Sequence, residues 1–349
     1  MKKPENPRML ELSKLAKRRR LDELVVIGEA NLVAFAGIRC DNGALVVSGG
    51  DAVFYTDFRY TAMVHRKAPA LKTRDLKRLK LSGRRIGYES SVTKARYDRL
   101  VKLAPRAAKF VDIAEDLLSL RAVKTVSELE LLRAAEKLNC EIWEEARGRF
   151  AAGMTERDMA RVIQTLMIER GEGEAFATIV CVGKNAAECH HEPDDTVWNG
   201  REPVLVDMGV KLNGVCSDLT RNVPPARQSA LYRKVYALVK EAHDAAIAAA
   251  RPGLTAKALD AVARGVIKKG GFGKCFGHSL GHGVGYEIHE SPAVAKRGAK
   301  TVLKPGMVVT IEPGIYLEGN LGVRIEDMIV ITPDGCERVA GQSSAFASD

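Results

Sequence analysis

The spacing of apolar positions changes character near residue 125. Over residues 21–120, short apolar runs at 24–27, 44–48 and 52–55 are punctuated by Asp41-Asn42-Gly43 and Gly49-Gly50. Such runs between turn signals read as strands, with basic helical segments between them. From about residue 126 the period lengthens to that of a helix. Ser127-Glu128-Leu129-Glu130 fits a capping box, and Leu129, Leu132, Ala135 and Leu138 follow at helical spacing. The change places a domain boundary at 122–126, with one domain over 1–122 and a second over 126–349. A chain of 349 residues is long for one ordinary core, which agrees with two domains.

The second region contains a faint repeat. Gly153-Met154-Thr155 and Gly253-Leu254-Thr255 each open an amphipathic helix that runs out into glycines, at Gly171-Glu172-Gly173 and at Gly270-Gly271-Phe272-Gly273. A strand-like run with a histidine follows in both copies, His190 in one and His278 in the other. Gly-x-Thr before a helix is common capping chemistry, but here order and spacing agree as well. The pattern predicts an α+β protein whose second domain is made of two similar halves.

Composition narrows the function classes. With 46% hydrophobic and 28% charged residues the chain reads as globular. It lacks the roughly 18 to 20 consecutive apolar residues of a membrane span. Residues 1–20 are basic with no apolar segment after them, so no signal peptide is expected. The seven cysteines (Cys40, Cys140, Cys181, Cys189, Cys216, Cys275, Cys336) contain no C-x-x-C pair, which favours reduced thiols in the cytoplasm. The net charge of +10 divides into +13 over residues 1–125 and −3 over the rest. Arg18-Arg19-Arg20 and residues 72–80 are the densest basic clusters. Without interleaved aromatics or a binding motif they read as a solvated face, and a nucleic-acid partner is not expected.

Five polar residues stand in or beside apolar runs of the last part of the chain: Asp207, Asp218, His282, Glu312 and Glu326. A carboxylate buried without a partner is costly, and a divalent cation is a strong partner. Asn213-Gly214 is a two-residue hairpin signal between the runs 204–210 and 215–223. That turn pairs Leu212 with Val215 and hence Asp207 with Thr220, so Asp218 projects from the face that carries Asp207. The two are diagonal neighbours, and without cations they would repel. For Glu312 and Glu326 the register stays open: a three-residue turn around Gly319-Asn320 puts them on one face, and a two-residue turn does not.

Histidines gather in the glycine-rich stretch 277–290, as His278, His282 and His289, and each suits ligation or proton transfer. His190 and His191 form a second cluster beside Cys189. No second Cys/His pair at zinc-finger spacing accompanies it, so structural zinc is not expected.

The segments VLVDMGVKLNGVCSDLTRNV (204–223), FGHSLGHGVGYEIHESP (276–292), VVTIEPGIY (308–316) and GVRIED (322–327) resemble the pita-bread metallopeptidases of the M24 type. The similarity is nearest to their Xaa-Pro branch, aminopeptidase P and prolidase. NLVAFAG (31–37) and YTDFRYT (55–61) resemble the creatinase-type N-terminal α/β domain of that branch. The resemblance implies that Asp207, Asp218, His282, Glu312 and Glu326 bind two divalent metal ions. Mn2+ suits such an oxygen-rich set, with Co2+ or Zn2+ as alternatives. It further implies an activated water as nucleophile, Glu312 as its proton acceptor, His190 and His289 as substrate contacts, and His278 and Arg324 as supporting residues. A cytoplasmic homodimer acting on small peptides with proline second is implied too. Some dipeptidases of the branch carry arginine after the His-Glu-x-Pro segment; this chain has Ala293 there, with Lys296 and Arg297 beyond. That departure favours an Xaa-Pro aminopeptidase, with an Xaa-Pro dipeptidase (prolidase) as the alternative. A methionine aminopeptidase would space its last two glutamates more widely. A non-catalytic peptide- or nucleic-acid-binding relative would be expected to lose ligands that are all present.

Overall fold

The computed structural model describes residues 7–297 and 300–341 and divides into two units, Met1–Arg121 and Ala122–Asp349. The first carries the helices α1 (Pro7–Arg19), α2 (Glu29–Ala36), α3 (Phe58–Lys67), α4 (Lys94–Leu103) and α5 (Ala114–Ala122). Its strands are β1 (Glu23–Val26), β2 (Gly43–Ser48), β3 (Asp51–Thr56), β4 (Lys72–Asp75), β5 (Arg85–Tyr88) and β6 (Lys109–Asp112). They form one sheet in the order β4-β3-β2-β1-β5-β6. β1, β2 and β3 pair antiparallel, and Gly49 and Gly50 (φ +59° and +99°) turn the chain so that Ser48 faces Asp51. The edge strand β4 falls inside the basic cluster; lysine and arginine on an exposed edge discourage pairing with other chains.

The second unit opens with α6 (Val126–Arg149). Its capping box is Thr125 with Glu128, two residues before the Ser127/Glu130 box expected from sequence. Thr125 Oγ1 accepts the Glu128 N–H, and Glu128 Oε2 accepts the Thr125 N–H. Ser127 already lies in the first turn, so it has no terminal N–H to cap. α7 (Glu156–Arg170), α8 (Ala230–Ala249) and α9 (Ala256–Lys269) complete its helices among the described residues. The strands are β7 (Ile179–Val182), β8 (Val204–Met208), β9 (Lys211–Leu212), β10 (Val215–Cys216), β11 (Leu219–Val223), β12 (Gly281–Gly283), β13 (Glu290–Val294), β14 (Val308–Ile311), β15 (Gly314–Leu317), β16 (Leu321–Arg324), β17 (Asp327–Ile331) and β18 (Cys336–Arg338). β11-β8-β7 form one sheet and β13-β12-β14-β17-β18 another.

The repeat is real at atomic level. Thr155 caps α7 and bridges to Val197; Thr255 caps α9 and bridges to Val302. Gly153 N–H donates to Trp198 O at 2.8 Å, and Gly253 N–H to Leu303 O at 3.0 Å. Each half buries its helices against its sheet: Ile142, Met159, Ile163, Val180 and Val206 in one, Val239, Leu259, Ala263, Val309 and Ile329 in the other. The counterpart of His190 is nevertheless not His278. His190 follows β7 and precedes the segment that bridges to Thr155; in the other half His289 occupies that interval, after β12 and before the segment that bridges to Thr255. His278 precedes β12, and neither His190 nor His278 lies in a strand.

Both carboxylate-bearing ribbons have a defined register. Asn213 and Gly214 adopt positive φ (+50° and +84°), Leu212 faces Val215, and Asp207 faces Thr220. In the second ribbon Leu317 faces Leu321 across the three residues 318–320, with Gly319 at φ +68°. β15–β16 and β14–β17 keep the same register, Gly314 opposite Arg324 and Ile311 opposite Asp327, so Glu312 falls opposite Glu326. The three-residue alternative is the one adopted. Among the described residues no helix is long and apolar enough to cross a membrane.

The tight turn generates a prediction. Gly214→Val forces a β-branched side chain into positive φ and is expected to cost more than ~1 kcal/mol. Urea denaturation measures it; an unchanged midpoint would show that the turn does not set this register.

Candidate metal centre

Asp207, Asp218, His282, Glu312 and Glu326 all line one cavity of about 450 Å³, together with His190, His278, His289 and Arg324. Each reaches it by a local cause. Asp207 points in from β8 at the pairing with Thr220. Asp218 sits where the ladder breaks: Ser217 Oγ bonds the N–H and carbonyl of Val210, and the Asp218 N–H turns to the Glu136 carboxylate at 3.2 Å. His282 lies in β12 between Gly281 and Gly283. A Cβ on Gly281 would stand 1.9 Å from Thr310 O, so only glycine lets this strand approach β14.

The donor atoms converge. His282 Nε2 is 3.5 Å from both Asp218 Oδ2 and Glu312 Oε1, and Asp218, His282 and Glu326 offer ligand atoms within 4.8 Å of one another. His282 Nδ1 donates to Gly283 O at 3.0 Å, which leaves the Nε2 lone pair facing the carboxylates. Burial holds His282 down at about 4, so the ring is neutral, as ligation requires.

Electrostatics expose the need for a cation. Burial, then Glu326, Asp207 and Glu312, push the Asp218 carboxyl far above its ordinary range. Burial and then Glu312 and Asp207 raise Glu326, and burial raises Glu312 to about 8. Asp207 Oδ1 is buried and accepts no hydrogen bond. Proton-holding acids, an orphaned carboxylate oxygen and an aimed imidazole lone pair are the pattern a hard or borderline divalent cation satisfies.

Several residues behind the cavity escaped the sequence reading. Thr220 Oγ1 accepts from Arg324 Nε (3.1 Å) and donates to Glu326 Oε2 (2.6 Å). Arg324 also donates to Asp207 Oδ2 at 2.7 Å and to Tyr316 Oη at 2.8 Å. The proton order continues from Tyr316 Oη to His278 Nε2 (2.9 Å), because His278 Nδ1 donates to Ser279 O. Arg221 holds the Glu326 carbonyl and pairs with Asp327 at 2.7 Å. Burial opposes charge on Asp327, but Arg221 and His243 hold it well below the carboxylate range. The signal was present: an arginine and a second acid inside the apolar strands that carry the ligands.

A profile of Metallopeptidase family M24 matches residues 130–333. The chain belongs to metallopeptidase family M24. A Creatinase/Prolidase N-terminal domain profile matches residues 8–123 of this M24 peptidase. It is 34% identical to an Xaa-Pro dipeptidase from Pyrococcus furiosus over 343 residues, covering 95% of this chain and 97% of that protein. The prolidase from Pyrococcus horikoshii has a similar structure, with TM-score 0.91 and 30% identity over 97% of this chain and 99% of that one. So has an X-Pro aminopeptidase from Thermotoga maritima, with TM-score 0.86 and 31% identity over 94% and 98%.

A second group with the residue types of a cation site, Glu156, His191 and Asp194, lies outside the cavity lining. Both Glu156 oxygens already accept N–H donors there.

A pH prediction follows for the M24 peptidase stripped of metal. Folded Glu312 keeps its proton to about 8, against an ordinary value of 4.5. The folded state therefore binds more protons than the unfolded one, and stability falls as pH rises toward 8. His282 titrates near 4 and works oppositely only below its ordinary 6.5. Across 6.5–8 the cavity carboxylates act together with buried Glu136, also raised to about 8, and with His191, which Glu156 and Glu188 raise against burial, all in the same sense. Thermal melts in chelator are expected to drop across that window, and Asp218→Asn to raise the metal-free midpoint while lowering metal content. A metal-free midpoint flat from pH 6.5 to 8 would contradict the repulsion described.

Proposed function

We propose that this M24 peptidase is an Xaa-Pro dipeptidase using two divalent cations held by Asp207, Asp218, His282, Glu312 and Glu326. The observation that carries the metal-dependent reading is the convergence of four carboxylates and one neutral imidazole on a single cavity. Such a donor set suits Mn2+, with Co2+ and Zn2+ as alternatives. When bound, the cations supply Lewis acidity that polarises the scissile carbonyl and lowers the pKa of water.

The chain's own groups do the rest. Glu312 lies beside His282 and accepts the proton of the attacking water. His190 and His289, on loops from opposite halves, contact the substrate and the charge of the tetrahedral centre. Arg324 fixes Asp207 and, through Thr220, Glu326, while Tyr316 keeps His278 in one tautomer. An Xaa-Pro bond lacks the N–H that peptidases gripping an extended strand rely on, so recognition by histidines and cations in a cavity suits it.

The dipeptidase reading takes precedence over the aminopeptidase expected from Ala293. Its support is the pair of Pyrococcus relatives, a dipeptidase and a prolidase, that match over nearly the whole chain. The aminopeptidase remains a second reading, favoured by Ala293 on the cavity lining and by the Thermotoga likeness. We further infer a cytoplasmic homodimer, on the family resemblance stated above.

Steady-state cleavage of Xaa-Pro against Xaa-Pro-Yaa, with Mn2+, Co2+ or Zn2+ added back after chelation, tests both readings. Dipeptide kcat/KM is expected to exceed that of the tripeptide by about tenfold or more, and a preference for the tripeptide would establish the aminopeptidase. Glu312→Gln is expected to lower kcat by ~10²- to 10⁴-fold; near-normal turnover would remove it as proton acceptor.

A further inference from the structure

Glu156 is the first residue of α7, and its side chain is fully buried. Its Oε1 accepts the Val182 N–H at 2.6 Å and Asn185 Nδ2 at 2.9 Å. Its Oε2 accepts from His191 Nε2 at 2.7 Å and from the Asp194 N–H at 3.0 Å. The four donors come from the end of β7, from the short helical turn after it, and from the first and fourth residues beyond His190. One carboxylate thus ties the chain on both sides of the cavity histidine. Burial opposes a charge on His191, but Glu156 and Glu188 raise its pKa above the ordinary value, so the contact is an ion pair over more of the neutral range.

The other half carries no carboxylate at the matching position. The corresponding residue of the other half, Ala256, is buried at the start of α9. Its N–H donates to Thr301 O as the Glu156 N–H donates to Thr196 O. Helix capping and core packing proceed there with a methyl group. The second cavity histidine has its own anchor: Glu290 follows His289 and pairs with Lys124 at 2.8 Å, the two side chains 1% and 2% exposed. The other Glu290 oxygen accepts the Glu287 N–H at 3.1 Å. In both halves, the residue after the cavity histidine is fastened in a buried ion pair. Such pairs are poor sources of stability but good at fixing registry.

We propose that Glu156, through His191, is a positioning residue for His190. This rests on the reading of His190 as a substrate contact. A histidine held about 1 Å away from its productive place loses up to ~10²-fold in rate.

A double-mutant cycle on the metal-loaded full chain tests it, with Glu156→Gln, His190→Ala and the double variant assayed on the preferred Xaa-Pro peptide. Glu156→Gln keeps shape and removes the charge and one acceptor. It is expected to lower kcat/KM about 10- to 100-fold with bound metal unchanged. In the His190→Ala background the same change is expected to cost about twofold or less. An equal loss in both backgrounds, wild-type activity of Glu156→Gln, or a loss matched by missing metal would overturn the proposal. If His190→Ala is itself fully active, the substrate role of His190 fails and the proposal with it; an additive cycle defeats the brace alone. Should Glu156→Gln not fold, His191→Gln breaks the same pair and enters the cycle with the same outcomes.

Discussion

Four carboxylates facing one largely buried cavity repel one another, and the catalytic unit is arranged around that repulsion. Two arginines answer it. Arg324 lies against Asp207 and reaches Glu326 through the Thr220 hydroxyl, while Arg221 holds the Glu326 backbone and is itself neutralised by Asp327. Arg324 also lines the cavity. Burial, and then the charge left there, keeps Asp218, Glu312 and Glu326 above their ordinary pKa ranges. Cations would complete this site electrostatically, so the arrangement that costs stability without metal is the one suited to hold it.

The two halves share a frame and divide the chemistry unequally. Both use a threonine-capped helix bridged to the chain before the main strand. One half supplies the aspartates from a two-residue hairpin; the other supplies the glutamates from a three-residue one and the imidazole ligand candidate from β12. The longer glutamate side chains meet across a ladder that is interrupted at Pro313, where a regular strand could not be sustained. The loops that bear His190 and His289 correspond in topology, yet one is anchored by Glu156 and the other by Lys124. A shared frame with different anchors accounts for the weakness of the repeat in the sequence.

Much of this is legible in the order of the residues. The Asn213-Gly214 turn carried the pairing of Asp207 with Thr220, because positive φ at both central residues permits little else. The strands around Gly49-Gly50 were readable for the same reason. The capping box of α6 was displaced by two residues because Thr125-x-x-Glu128 and Ser127-x-x-Glu130 fit the same pattern, and only tertiary packing, with Tyr286 donating to Glu128, selects one. His278 was matched to His190 because both follow a glycine-rich exit from a helix; strand order, which sequence spacing does not contain, pairs His190 with His289 instead.

The residues alone specify local features: turn geometry, helix starts, and the presence of acids and histidines in apolar surroundings that demand partners. Those properties depend on a few adjacent dihedral angles and on the cost of burying charge, and both are written in short stretches of chain. Which partners meet is settled by packing. Glu136 behind Asp218, Arg221 behind Glu326 and Glu156 against His191 join residues separated by 82, 105 and 35 positions. Contacts of that separation arise from the packing of whole elements, which no local period encodes.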